Sequence, residues 1–135
     1  MSEQEHTVLV WLLFEQDDSV LVAKRKVDGE PFAGLWVLPG EELDKGKSPS
    51  DLIAAFAHDQ LDVQIMGDEP FQTLHISDGN KDYAVAIHRV GFEGRPRFRD
   101  SGPFTEVGWA PRGDLTDATA YPALAELAGY LTGTV

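Results

Sequence analysis

The sequence predicts an α/β fold in which a mixed β-sheet is packed between helices. Three observations carry that expectation. The segments run as two strands, a loop, a helix, several strands and a final helix. A helix-start signature stands at Ser48-Pro49-Ser50-Asp51, and β-branched or aromatic runs alternate with turn clusters. The 135 residues, 14.8 kDa in mass, fit one domain spanning 1–135, because a chain of this length can close a single core.

From the N-terminus, Thr7 to Phe14 is β-branched and aromatic, Asp17-Asp18-Ser19 is a turn cluster, and Val20 to Ala23 is apolar again. A β-hairpin is expected there. Residues 27–34 hold Asp28, Gly29, Pro31 and Gly34, so they read as a loop into the apolar segment Leu35 to Leu38, which Pro39 and Gly40 end. Ser48 can cap a helix, Pro49 suits its first position and Asp51 completes a capping box, which predicts a helix from Pro49 to about Leu61. Leu52, Ile53, Ala57 and Leu61 form its core stripe, with Ala54 and His58 turned away. Phe56, Asp59 and Gln60 project together along the edge of that stripe. Strands resume at Val63 to Ile65, and Phe71 to Ile76 with Tyr83 to Val90 flank Ser77-Asp78-Gly79-Asn80 as a second hairpin. Pro96 to Arg99 and Glu106 to Ala110 read as short strands. Leu124, Leu127, Ala128 and Leu131 mark a last helix from Pro122 to Leu131.

Composition excludes several classes of function. Eleven basic residues against 23 acidic ones leave a net charge of −12, so a duplex nucleic acid is not an expected partner. A polyanionic ligand would need a metal ion or a local group of Lys and Arg. The longest apolar run, Val8 to Phe14, is too short to cross a bilayer. The absence of cysteine removes disulfides, zinc thiolate sites and thiol catalysis. The N-terminal MSEQEHT has no basic segment followed by an apolar one, which makes the cytoplasm the expected location. His6, His58, His75 and His88 show no metal-ligand or triad spacing and are expected on the surface or in the sheet.

The run Val20 to Val63 carries basic Lys24-Arg25-Lys26, then Phe32-Ala33-Gly34-Leu35-Trp36, Leu38-Pro39-Gly40, Gly46, and Ser48-Pro49 opening a helix. It resembles the Nudix family of MutT-type hydrolases. Glu106-Val107-Gly108-Trp109, the segment from Pro111 to Leu115, and Tyr121-Pro122 look like that family's downstream strand, connector and terminal helix. The resemblance implies an α/β/α sandwich that cleaves a nucleoside diphosphate linked to another group, using Mg²⁺ or Mn²⁺ held by a loop and a helix. The family's box reads Gly, five residues, Glu, seven residues, Arg-Glu, an apolar residue, any residue, Glu-Glu, any residue, Gly and an apolar residue. Laid on this chain without a gap, its leading Gly falls on Glu41, its first Glu on Lys47 and its Arg-Glu on Ala55-Phe56. Its Glu-Glu pair falls on Asp59-Gln60 and its later Gly on Asp62.

These departures change the chemistry. Mg²⁺ takes hard oxygen ligands, chiefly carboxylates together with substrate phosphates. On the helix edge of Phe56, Asp59 and Gln60, only Asp59 is anionic. Lys47 reverses the sign of the charge, and unit charges about 4 Å apart interact by about 4 kcal/mol near a protein surface. A displaced metal set would use Glu41, Asp59 and Glu106, with Asp59 and Glu106 as the catalytic candidates; the alternative is that these are ordinary surface acids in an acidic chain. Arg25 points away from Lys24 and Lys26 in a strand. The resemblance places Arg25 near substrate phosphates, and the other reading is a solvated strand end. Trp36 and Phe32 are either stacking platforms for a base or packing groups.

Three functions follow. The leading one is a Nudix-like protein with its box largely lost, weak or inactive as a diphosphohydrolase. No cofactor is expected in that case. It would bind a nucleotide or phosphorylated metabolite through Arg25 and Lys47 near the Gly40 loop, with Trp36 alongside. The others are an active hydrolase with a displaced Mg²⁺ site and a non-catalytic interaction domain.

Overall fold

Val8 to Phe14 has no polar residue to turn toward water, so a strand made from it must be covered on both faces. The structure, a computed structural model, describes residues 7–27, 32–44, 46–78, 81–97 and 104–132, and there β1 (Thr7–Leu13) is central in a mixed sheet. Its neighbours are β5 (Gly40–Glu42), antiparallel, and β7 (Lys81–Glu93), parallel, with β6 (Gln64–Asp78) outside β7. The second sheet is built on β3 (Ser19–Arg25). β8 (Phe104–Pro111) pairs along one edge, while β2 (Glu15–Gln16) and β4 (Trp36–Val37) share the other.

The first hairpin is therefore smaller than the sequence suggests. Only Glu15-Gln16 pairs with β3, and β1 belongs to the other sheet. The chain changes sheet at the fully buried Phe14, whose carbonyl accepts from the Leu21 N–H at 3.1 Å. Local pattern marks both runs as strands, but pairing is decided by what else competes for β1. Gly40, expected to end a segment, begins β5 instead. The second hairpin holds and is longer than expected, with bulges between Ile65 and Gly67 and between Pro70 and Gln72. Pro96 and Arg97 are not in a strand, and the rest of that expected strand lies outside the described residues.

α1 spans Pro49–Leu61 as expected, because its ends are set locally. Ser48 Oγ accepts from the Asp51 N–H at 3.1 Å, which satisfies one of the first-turn donors. At the other end Asp62 adopts the left-handed conformation at φ 59, and Val63 N–H returns to the Ala57 carbonyl at 3.1 Å. The position that matches the box's later Gly thus has a left-handed conformation, which glycine adopts most readily, with an Asp in it. α2 (Ala125–Thr132) follows a 3₁₀ turn, Pro122–Leu124, rather than one continuous helix. Among the described residues no helix is long and apolar enough to cross a membrane.

Charged groups tie the two sheets together. Arg89 of β7 donates through Nε to Glu15 Oε1 at 2.5 Å, and Arg112 donates to Glu15 Oε2 at 2.7 Å and to Asp18 at 3.2 Å. The Arg89 guanidinium also lies 4.6 Å from the Phe71 ring centroid.

Candidate functional site

The helix face matched to the metal box is built from α1, and its register puts Phe56 inward. Phe56 is 3% exposed, so it belongs to the core and not to the edge of the stripe. It meets Phe104 of β8 edge-on, with ring centroids 6.2 Å apart. A register shift in β8 next to Lys24 and Arg25 brings Phe104 opposite Arg25, and the Thr105 hydroxyl donates to the Lys24 carbonyl there at 3.4 Å. The Arg25 guanidinium carbon then lies 5.7 Å from the Phe104 centroid. Phe56, Phe104 and Arg25 form one stack where the box would place a carboxylate. Burial lowers the Arg25 pKa from its ordinary value and Tyr83 opposes this, but an arginine so far above neutrality stays charged.

Around this stack the candidate residues divide. Lys24 is paired in register with Trp36 on one side and Glu106 on the other, so these three share a face of the second sheet. Arg25, the next residue along, points to the opposite face. Trp36 is half-buried and packs on Tyr121, centroids 6.4 Å apart. Phe32, the other platform candidate, is 2% exposed between Trp11 and Tyr83, with its N–H on an Asp78 carboxylate oxygen at 2.8 Å. Its role is packing, at a positive φ of 61 that only a well-determined surrounding holds. Gly40 opens β5, where it pairs with Trp11. Lys47 is exposed, with its N–H on the Asp44 carbonyl at 3.2 Å. Asp59 is exposed and its Oδ1 lies 3.0 Å from His58 Nδ1.

The surroundings perturb Glu41. Partial burial of the carboxyl raises its pKa from the ordinary 4.5, and like charge from Asp44 and Asp59 raises it further. The structure thus brings Glu41 and Asp59 into one neighbourhood with Asp44, whereas Glu106 stands beside Lys24. Among the described residues no three His, Asp or Glu side chains are grouped so as to hold a metal ion. At the four positions where the box has Glu, Lys47 is cationic, Phe56 is buried, Gln60 is neutral and Asp59 carries a carboxylate.

The Glu41 shift has a measurable consequence. A carboxyl whose folded value is raised contributes stability fully below pH 4.5, and that contribution is lost as pH rises through the folded value. Glu41→Gln should therefore melt above the wild type at pH 7, with the gain gone below pH 4.5. Paired thermal melts at the two pH values check this, and a lower melting temperature at pH 7 would mean that Glu41 has a favourable contact.

Sequence reasoning missed two partly buried polar clusters. Asp68 Oδ1 lies 3.0 Å from Nδ1 of His88, which is 8% exposed, and accepts from Ser50 Oγ at 3.1 Å. Glu15 is held by two arginines, as described above. Their partners are separated by 18 to 97 residues, so no local spacing could reveal them.

Compared by fold, the chain is similar to MutT and Nudix proteins. A MutT protein from Methanosarcina mazei Go1 superposes with a TM-score of 0.84 at 14% identity, covering 99% of this chain and 98% of that one. A MutT NUDIX hydrolase from Burkholderia pseudomallei gives 0.77 at 20% identity, covering 93% and 96%. The NUDIX domain of Shewanella oneidensis NrtR, solved in complex with ADP ribose, gives 0.65 at 22% identity, covering 95% and 88%. No family model and no curated protein matches the sequence. The mixed sheet with its two helices is the Nudix α/β/α sandwich.

Proposed function

From this Nudix fold, we propose that the chain does not work as a box-type metal-dependent diphosphohydrolase and instead binds a nucleotide or related phosphorylated metabolite by direct cation contact. The observation that carries this reading is the burial of Phe56 against Phe104 at the position of a metal carboxylate. Arg25 on the Phe104 ring would supply a planar fork for phosphate oxygens, and Lys47 a mobile point charge where the box has an acid. The likeness to a NUDIX domain that binds ADP ribose supports the ligand class.

Thermal shift with ADP-ribose and nucleotide diphosphates in EDTA tests the reading. Stabilisation should persist without divalent metal, weaken with salt and fall at least threefold in apparent affinity in Arg25→Met and Lys47→Ala. Mg²⁺-dependent release of phosphate products that disappears in Asp59→Asn would overturn it. That outcome belongs to the second reading, an active hydrolase with a displaced Mg²⁺ site, which the mutual influence of Glu41, Asp44 and Asp59 favours.

A further inference from the structure

A sheet edge presents unpaired backbone N–H and C=O groups, and proteins blunt such edges with short strands, bulges, prolines and charges. Among the described residues most edges of this fold are blunted. β2 and β4 have two residues each and β5 three, while β8 carries a register shift and ends on Pro111. β6 closes the first sheet as a 15-residue strand with no described strand beyond it. Its first half has two bulges, the acids Asp68 and Glu69, and Pro70. From Gln72 to Ser77 these devices stop. That segment pairs with β7 without interruption, and it holds no Pro, Gly, Asp, Glu, Lys or Arg in a chain of net charge −12. Thr73, His75 and Ser77 are exposed, and Leu74 is buried in the core. In an antiparallel pair every second residue exchanges its backbone bonds with the neighbouring strand, so the residues between them turn theirs to the open side.

The pattern of the segment selects the occupant. A foreign peptide added to an edge is recognised by pockets for its alternate side chains. The cavities of about 630 and 450 Å³ open upstream of the segment, beside Ile65 and Gly94 and beside Gly67 and Gly91. A second copy needs no pocket, because the segment is complementary to itself. Turned antiparallel about Leu74, it sets Thr73 opposite His75 and Gln72 opposite Ile76, and Asp68, Glu69 and Asp78 stay outside the paired stretch. No like charges then stand opposite each other, and residues with outward backbone groups meet one another.

We propose that the chain self-associates through the Gln72–Ile76 edge of β6, two copies pairing antiparallel about Leu74 so that their first sheets join into one. So short a contact belongs to the weak class of interfaces, below about 1,200 Å², and the dimer forms only at high protein concentration. Each copy carries −12, so salt strengthens the dimer by screening the repulsion between copies. Phosphate binding at Arg25 and Lys47 has the opposite salt response, and neither residue is in β6.

Sedimentation equilibrium of the whole chain from about 10 μM to about 1 mM, at low and high salt, tests this. A monomer–dimer equilibrium is expected, at least threefold tighter at high salt. Thr73→Lys combined with His75→Lys should weaken it at least tenfold with an unchanged melting temperature, because both residues are exposed. The chain has no cysteine of its own, so introduced thiols report the register. Under mild oxidation an equal mixture of Thr73→Cys and His75→Cys chains should give the mixed disulfide well above its statistical share. A monomer throughout, a dimer loosened by salt or unchanged by the two lysines, or a mixed disulfide at its statistical share would overturn the proposal.

Discussion

Phe56→Glu abolishes the cooperative melting transition at room temperature and above, whereas Phe56→Leu retains it with a loss of about 1–2 kcal/mol. The reason is the 3% exposure of Phe56 and its edge contact with Phe104. Emptying such a site of its ring costs about 3–5 kcal/mol, and a carboxyl buried there without a partner adds at least about 1 kcal/mol. The sum is comparable to the whole stability of a domain, about 5–15 kcal/mol. Restoring the metal box therefore meets its obstacle at one position. Lys47→Glu and Ala55→Arg fall on exposed residues and Gln60→Glu on a half-buried one, and each should stay within about 0.5 kcal/mol of the wild type. Circular dichroism melts of the single variants check the set. A Phe56→Glu protein that melts within a few degrees of the wild type would return Phe56 to the helix edge.

Gly40→Ala destabilises by at least about 3 kcal/mol, through backbone displacement rather than lost contact area. A Cβ there would lie 1.9 Å from the Val10 carbonyl oxygen and 2.9 Å from the Trp11 Cα. Both are backbone atoms of β1, the central strand, so relief has to come from β5 moving away. That movement strains the hydrogen bonds from Leu12 N–H to the Pro39 carbonyl and from Leu43 N–H to the Val8 carbonyl, each 2.8 Å long. A typical backbone bond contributes about 1 kcal/mol net. Hydrogen exchange should show Leu12 and Leu43 losing protection before the amides of β7, and a wild-type melting temperature would refute the account. Because β5 also carries Glu41, the same variant should disturb the acidic neighbourhood of Asp44 and Asp59 without touching Arg25.

Much of the fold was legible because its signals are local. The α1 boundaries were read from Ser48, Pro49 and the apolar spacing, and the structure places the helix on the same residues, capped by the Ser48 hydroxyl. The second hairpin was visible as two apolar runs around a turn cluster. The partner of β1 was not visible. Neighbouring runs with a turn between them suggest a hairpin, and nothing in residues 7–23 says that β7 and β5 will flank β1 instead.

The candidate site was less legible for the same reason. Helical periodicity put Phe56 beside Asp59 and Gln60, and what covers it is Phe104, which a shift of strand register brings opposite Arg25. Phe32 read equally well as platform or packing until Trp11 and Tyr83 closed on it.

By itself the sequence determined the residue types at every box position, the net charge of −12, the absence of cysteine and the kinds and order of most elements. Those properties depend on composition, caps and periods of two or 3.6 residues, which are written along the chain. Tertiary structure alone decided that Phe56 is core, that Trp36 and Arg25 face opposite ways, and that Glu15 joins Arg89 and Arg112. Burial and ion pairing are set by which distant segments meet. A period tells which face a side chain takes, and not what stands across from it.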